Sequence, residues 1–266
     1  MSLNIAVCIK SVPDPEKYNQ IKLDPKTKTL IREGIDAVIN AADLHAIELA
    51  LQLKSRFGGH ITLVSMGTLS AQKQLREGLS YGCDEAVLLS DRKLAGADAL
   101  ATAYSLSVGL RTIGVFDLIL LGNASDDGAT AHVPTQVGEF MGLPHLTDAA
   151  EVRMEEESSA FVCKEIGGAV YEYSIKLPAV IGVTRKINKV RRPNVPGILQ
   201  AKNKPLKVLG VADLNGIDEK KIGLSGSYTK AGDYHDTAYG RTCVVIEGSD
   251  EEKAAGILSA VKAVKR

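Results

Sequence analysis

The residues best suited to chemistry form one run. Gly122, Asn123, Ala124, Ser125, Asp126, Asp127, Gly128, Ala129 and Thr130 are small or turn-forming, and they precede a helical pattern containing Val137 and Phe140. Short side chains let a ligand approach the backbone, and the free N–H groups of a helix's first turn favour an anion such as phosphate. Thr130 adds a hydroxyl donor or serves as the N-cap, and His132 falls inside the same turn. On spacing alone, a plain N-capped strand-to-helix loop is the better account. The adjacent acids Asp126 and Asp127 fit Asx-type backbone bonds better than acid–base catalysis or metal binding.

Common fingerprints are missing from the chain. The turn is neither GxGxxG nor GxxxxGK[ST], and the sequence has no GxSxG elbow and no HExxH. Cys8, Cys83, Cys163 and Cys243 make no CxxC or Cys/His spacing for zinc and read as reduced, structural thiols. His45, on a helix face, and His60, near a strand start, also read as structural.

Placing that turn requires a sheet. Ile5–Ile9, Ile61–Ser65, Glu85–Leu89 and Asp117–Leu121 are short apolar runs that alternate with helical stretches. Asp43–Phe57 carries apolar Ile47, Ala50, Leu51 and Leu53. Ala99, Ala103, Leu106, Leu110 and Ile113 recur at helical spacing, and Ala71–Tyr81 ends near Gly82, a residue suited to a left-handed cap. The alternation predicts an α/β fold: a mostly parallel sheet with helices on both faces. Ligands in such sheets lie beyond the carboxyl ends of the strands, where strand order reverses. Cys8–Val12, Asn40–Asp43 and Gly122–Val133 are the segments expected there.

Two insertions read as edge hairpins: Ile21–Arg32, around Asp24, Pro25 and Lys26, and Ala160–Thr184, turned at Gly167 and Gly168. After Pro205 the pattern weakens, then closes with Thr242–Ile246 and a helical tail, Glu251–Lys265. The expected organisation is one α/β domain over 1–210 and a C-terminal arm over 211–266 that docks on another subunit. The Arg185–Lys204 stretch is strongly basic; on charge alone it reads as a solvated face.

The 266 residues carry 32 basic and 32 acidic side chains, so no global field attracts nucleic acid or an anionic membrane. No run approaches the roughly 20 apolar residues of a membrane span. With no basic leader before its first apolar run, the chain is expected in the cytoplasm.

Several segments, in collinear order over nearly the whole chain, resemble the electron-transferring flavoprotein beta family. They are VCIKSVPDP, IKLDPKTKTLIREG, INAADLHAIELALQLK, LVSMG, REGLSYGCDEAVLL, LLGNASDDGATAHVPTQVGEFMGLP and LPAVIGVTRKINKVRRPNVPGILQAKNKPLKV. The resemblance implies a Rossmann-like, adenine-nucleotide-binding domain packed against an alpha subunit that carries a redox-active FAD. It implies a nucleotide pocket using Cys8, Asn40, Asp43, Met66, Gly122, Asn123, Asp127, Gly128, Ala129, Thr130, Ala131, His132 and Val133. In ordinary members that pocket holds structural AMP; in electron-bifurcating members it holds a second FAD reduced by NADH. The turn DGATAHV is more similar to the bifurcating form, and departs from it at Ala129, His132, Pro134 and Thr135. FAD is therefore the expected cofactor and AMP the alternative. Ferredoxin or flavodoxin would take one electron, and a flavin-dependent dehydrogenase of acyl-CoA or 2-hydroxyacid type the other. The long VPDPEKYNQ stretch points to the 2-hydroxyacid type.

The loop around Val195 is similar to the family's recognition loop. This implies apolar docking contacts at Val195, Pro196 and Ile198, with Arg191 and Arg192 as steering charges. A nucleotide sensor or ATP-using protein on a related fold is the other reading; the lack of a Gly-rich phosphate loop after the first strand opposes it.

Overall fold

Alternation along the first strand sets up two core layers. The structure, a computed structural model, describes residues 2–20, 22–23, 30–31, 36–156, 158–229 and 243–263. In β1 (Leu3–Cys8), Leu3, Ile5 and Val7 enter one apolar layer, while Ala6 and Cys8 enter the other. Short pieces follow: β2 (Ser11–Pro13), β3 (Lys22–Leu23), β4 (Leu30–Ile31) and β5 (Ala37–Ile39). The regular alternation then runs α1 (Ala41–Phe57), β6 (Gly59–Met66), α2 (Gln72–Ser80), β7 (Glu85–Leu89), α3 (Ala99–Ile113), β8 (Leu118–Gly122) and α4 (Val133–Met141). It is followed by β9 (His145–Arg153), β10 (Ser159–Ile166), β11 (Ala169–Lys176), β12 (Ala179–Val183), α5 (Val195–Ala201), β13 (Leu206–Leu209) and α6 (Asp250–Ala263).

The main sheet has the order β11-β10-β9-β12-β8-β1-β6-β7-β13. Its pairs are parallel from β9 through β13, and antiparallel only where β10 meets β9 and β11. Helices on both faces bury the central strands, which is why those strands read as unbroken apolar runs. Ile47, Ala50, Leu75 and Leu79 of α1 and α2 cover one face; Ala103, Leu106, Leu110 and Val137 of α3 and α4 cover the other. Each fully buried Ile or Leu contributes about 1.5–3 kcal/mol. The α/β expectation is met.

Some details differ from the sequence reading. Ala160–Thr184 is more than a hairpin: β10 and β11 form the expected edge pair, but β12 is a separate central strand beside β8. Strands β9 and β13 were not anticipated. Helix α2 ends at Ser80 with Tyr81 in right-handed geometry, and Gly82 follows at φ 128°, outside the left-handed helical region. Strands β3 and β4 pair with each other and stand apart from the main sheet; Asp24, Pro25 and Lys26 lie outside the described residues. The Cys243–Ile246 stretch carries no strand, and Thr242 lies outside the described residues.

The chain divides into compact units at Ala231/Gly232 instead of after residue 210. Val211, Leu214 and Ile222 are the cause, because they are buried in the second apolar layer and bind their segment to the sheet domain. In the second unit, α6 is capped by a reciprocal pair: Ser249 N–H donates to Glu252 Oε2 at 2.7 Å, and Glu252 N–H to Ser249 Oγ at 3.3 Å. None of its side chains is buried. No helix among the described residues is long and apolar enough to cross a membrane.

Candidate functional site

Strand order places the switch point between β1 and β8. The chain leaves β1 through α1 toward β6 on one side, then returns through α3 to β8 on the other. The three segments expected to meet do so here.

Asp43, in the first turn of α1, joins two of the strand ends. Its Oδ2 accepts the Lys10 N–H at 2.7 Å and its Oδ1 the Gly122 N–H at 2.9 Å. Asn40, which is 1% exposed, grips the turn after β8: its Nδ2 donates to Ala124 O at 3.0 Å and its Oδ1 accepts the Asp126 N–H at 3.0 Å. The Asn40 N–H donates to Lys10 O at 2.9 Å, which closes the loop of contacts. Burial pushes the Asp43 carboxyl up to about 7, against the pull of the bonds from Lys10, Asn40 and Gly122. Burial, with the Asp43 charge second, also pushes the Cys8 thiol up.

Gly122 is required at this junction. A Cβ there would stand 2.4 Å from Asp43 Oδ1 and 2.7 Å from the Ala42 Cβ. Asn123 turns the other way: its N–H donates to Val183 O at 2.8 Å and its Nδ2 to Asp148 Oδ1 at 2.9 Å. Asp148, within β9, holds φ 59° where the register of the β9 pairings shifts.

Beyond Asp127 the turn is open. Gly128, Ala129, Thr130, Ala131 and His132 are exposed, and Ala129 and Ala131 hold φ values of 48° and 56° in the left-handed region. Such backbone is uncommon for residues other than glycine. The N-cap position of α4 belongs to His132 and not Thr130, and the His132 side chain makes no capping bond. Val133 opens the helix, half-buried against the second apolar layer; Met66, at the end of β6, packs on the same layer. In the first turn of α4, the buried Gln136 Oε1 has no hydrogen-bond partner among the described residues.

The basic segment is fastened down before it becomes accessible. Arg191 pairs with buried Glu48 of α1, Nε to Oε2 at 2.7 Å and Nη2 to Oε1 at 2.9 Å, while its own side chain stays 46% exposed. Burial raises the Glu48 carboxyl, but the Arg191 and Gln52 bonds outweigh it and hold the group below its ordinary value. One turn earlier on α1, Asn188 Nδ2 donates to His45 O at 2.9 Å. Asn194 Oδ1 then caps α5 by accepting the Gly197 N–H at 2.7 Å. A Cβ on Gly197 would stand 2.4 Å from Ser80 O, so glycine lets α5 sit on α2. Arg192, Val195, Pro196 and Ile198 are exposed, Val195 at 70%.

Comparison with known proteins adds to this geometry. Residues 27–214 match the model of the electron transfer flavoprotein domain. The chain is 38% identical over 229 residues to the electron transfer flavoprotein subunit beta of Thermoanaerobacterium thermosaccharolyticum, covering 86% of each chain. With the subunit of that name from Clostridium acetobutylicum it shares 35% identity over 261 residues and 98% of each chain. It is 34% identical over 229 residues to the caffeyl-CoA reductase-Etf complex subunit CarD of Acetobacterium woodii, covering 86% of each.

The chain belongs to the electron transfer flavoprotein beta-subunit family.

The matched region begins ahead of β4 and ends just after β13, and so includes the turn, Arg185 and the fastened segment; Cys8 and Lys10 precede it. Two residues of this family member's crevice were missed in the sequence. Lys10 Nζ reaches Asp127 Oδ1 at 2.6 Å and Ser125 Oγ at 3.2 Å. The Arg185 guanidinium pairs with Asp126. Lys10 lies inside the expected Cys8–Val12 segment, and adjacent acids facing it in the turn were the available signal.

Proposed function

We propose that the crevice between β1 and β8 binds FAD by its adenine and phosphate portion, and that this subunit, paired with an alpha subunit, passes electrons from NADH to ferredoxin or flavodoxin and to a flavin-dependent dehydrogenase. The observation that carries the reading is the turn itself. Three segments are cross-linked by Asp43, Asn40 and Lys10, and beyond them Gly128–His132 presents small, exposed residues in an unusual backbone conformation. The donor set suits a phosphate: the Lys10 ammonium, the Ser125 and Thr130 hydroxyls, and the first N–H groups of α4. Gln136 Oε1 adds a buried acceptor that a bound donor would satisfy.

When bound, FAD supplies the redox chemistry, and the protein supplies position and electrostatics. Asp43 and Asn40 fix the crevice walls, and Gly128, Ala129 and Ala131 leave room beside the backbone. The fastened segment presents Val195, Pro196 and Ile198 to the dehydrogenase, with Arg192 steering the encounter. The arm after Ala231, with Ile257, Leu258 and Val261 exposed on α6, docks on the alpha subunit.

The test is nucleotide analysis of the heterodimer purified after co-expression with its alpha subunit. Two FAD and no AMP per heterodimer, with NADH bleaching both flavins, supports the proposal. One FAD and one AMP replaces it with a structural AMP site in the same crevice.

A further inference from the structure

The turn after β8 is held from both of its neighbouring strands. Strand β8 lies between β12 and β1, and the residues just beyond those two strands each send a cation to one of the adjacent acids. Lys10, from the β1 side, takes Asp127, and Arg185, from the β12 side, takes Asp126. The two clamps differ in their second contacts. Asp126 is also held through its N–H by buried Asn40, so its pair with Arg185 belongs to the framework of the crevice. Lys10 has its backbone locked by Asp43 and Asn40, yet its side chain remains 46% exposed and its ammonium also touches Ser125 Oγ. The pair is open on its Lys10 side, the Asp127 side chain being only 10% exposed, and a phosphate offers several charged acceptors to the same ammonium.

Resting on the reading of the crevice as a nucleotide site, we propose that Lys10 is its phosphate-binding cation, exchanging Asp127 for the ligand, while Arg185 is a positioning residue that keeps Asp126 and the turn in place. Ala129 and Ala131 lie two and four positions beyond the second clamped acid, Asp127. Left-handed backbone at alanine persists only where the surroundings hold it. Arg185 therefore preserves the shape of the turn, and Lys10 supplies charge to the ligand. A binding event that swaps one anion for another at Lys10 leaves the Asp126 side of the turn undisturbed.

The experiment titrates AMP and FAD separately into nucleotide-stripped heterodimer by calorimetry at low and high salt. Wild type is compared with Lys10→Met, Lys10→Arg and Arg185→Met, with thermal midpoints recorded for each. Lys10→Met should bind about tenfold or more weakly, with a flatter salt dependence, and Lys10→Arg should recover both. Arg185→Met should also bind more weakly but keep the wild-type salt dependence, and amides 125–132 should exchange faster. Wild-type affinity and salt slope in Lys10→Met overturn the assignment, as does an affinity loss that Lys10→Arg does not recover. Failure of the wild-type heterodimer to bind either nucleotide instead overturns the crevice reading on which it rests.

Discussion

The carboxylate of Glu48 and the guanidinium of Arg191 meet in a two-point pair, at 2.7 and 2.9 Å, with Glu48 buried in α1. The same helix carries Asn40 at its N-cap position and Asp43 in its first turn, so one rigid element holds the crevice and anchors the basic segment. Arg191→Ala leaves a buried carboxylate without its cation and is expected to lower stability by about 2–4 kcal/mol, read from the urea midpoint. Because Glu48 is held below its ordinary value of 4.5, its contribution is present above that pH and lost as pH falls through the folded value. The gap between wild type and variant should therefore close in acid; a gap that is constant from pH 7 to pH 3 contradicts this role.

Asp43 has the opposite sign. Its folded value near 7 lies above the ordinary 3.8, so between those values the folded chain holds a proton that the unfolded chain has released. This group's effect on stability becomes less favourable as pH rises from about 4 to 7. Asp43→Asn removes that dependence and leaves one of two backbone N–H groups, from Lys10 or Gly122, without an acceptor, costing about 1–3 kcal/mol. Urea unfolding should show the variant further below wild type at pH 5 than at pH 8, with the gap widest below about pH 4. Parallel pH profiles would rule this out.

Gly122→Ala inserts a methyl group between Asp43 and Ala42. Overpacking of this kind costs about 1–3 kcal/mol. The crevice should suffer more than the fold: nucleotide content of the heterodimer is expected to fall while far-UV circular dichroism stays unchanged. Full nucleotide content would show that the junction tolerates displacement.

Val195→Asp places a charge at a residue 70% exposed on α5 and should change stability by no more than about 0.5 kcal/mol. Electron transfer to the partner dehydrogenase should drop, with nucleotide content unaltered. Unchanged transfer in a stopped-flow assay would remove Val195 from the docking surface.

The central strands and major helices were legible because burial on both faces leaves continuous apolar runs between amphipathic helices. Strand β12 was not, because Ala179–Val183 follows a hairpin with a clear turn at Gly167 and Gly168, and its run was absorbed into that hairpin. Strand β13 is four residues on an edge, too short for its period to stand out. In the crevice, Asn40, Asp43 and the turn could be read from residue type and placement. Lys10 and Arg185 could not, because a cation after a strand is unremarkable until strand order sets β12, β8 and β1 side by side. The Arg191 ion pair was hidden for a similar reason: its partner, Glu48, is 143 positions away in the chain.

The sealed Cys8 thiol bears on how the molecule ages. A thiol forced to stay protonated is a poor nucleophile, and Cys83, pushed up to about 12, is equally inert. Among the described residues, Cys243 in the second unit is the exposed sulfur. Air oxidation and alkylating reagents will therefore mark that unit first, while the Cys8 thiol at the end of β1 stays unmodified.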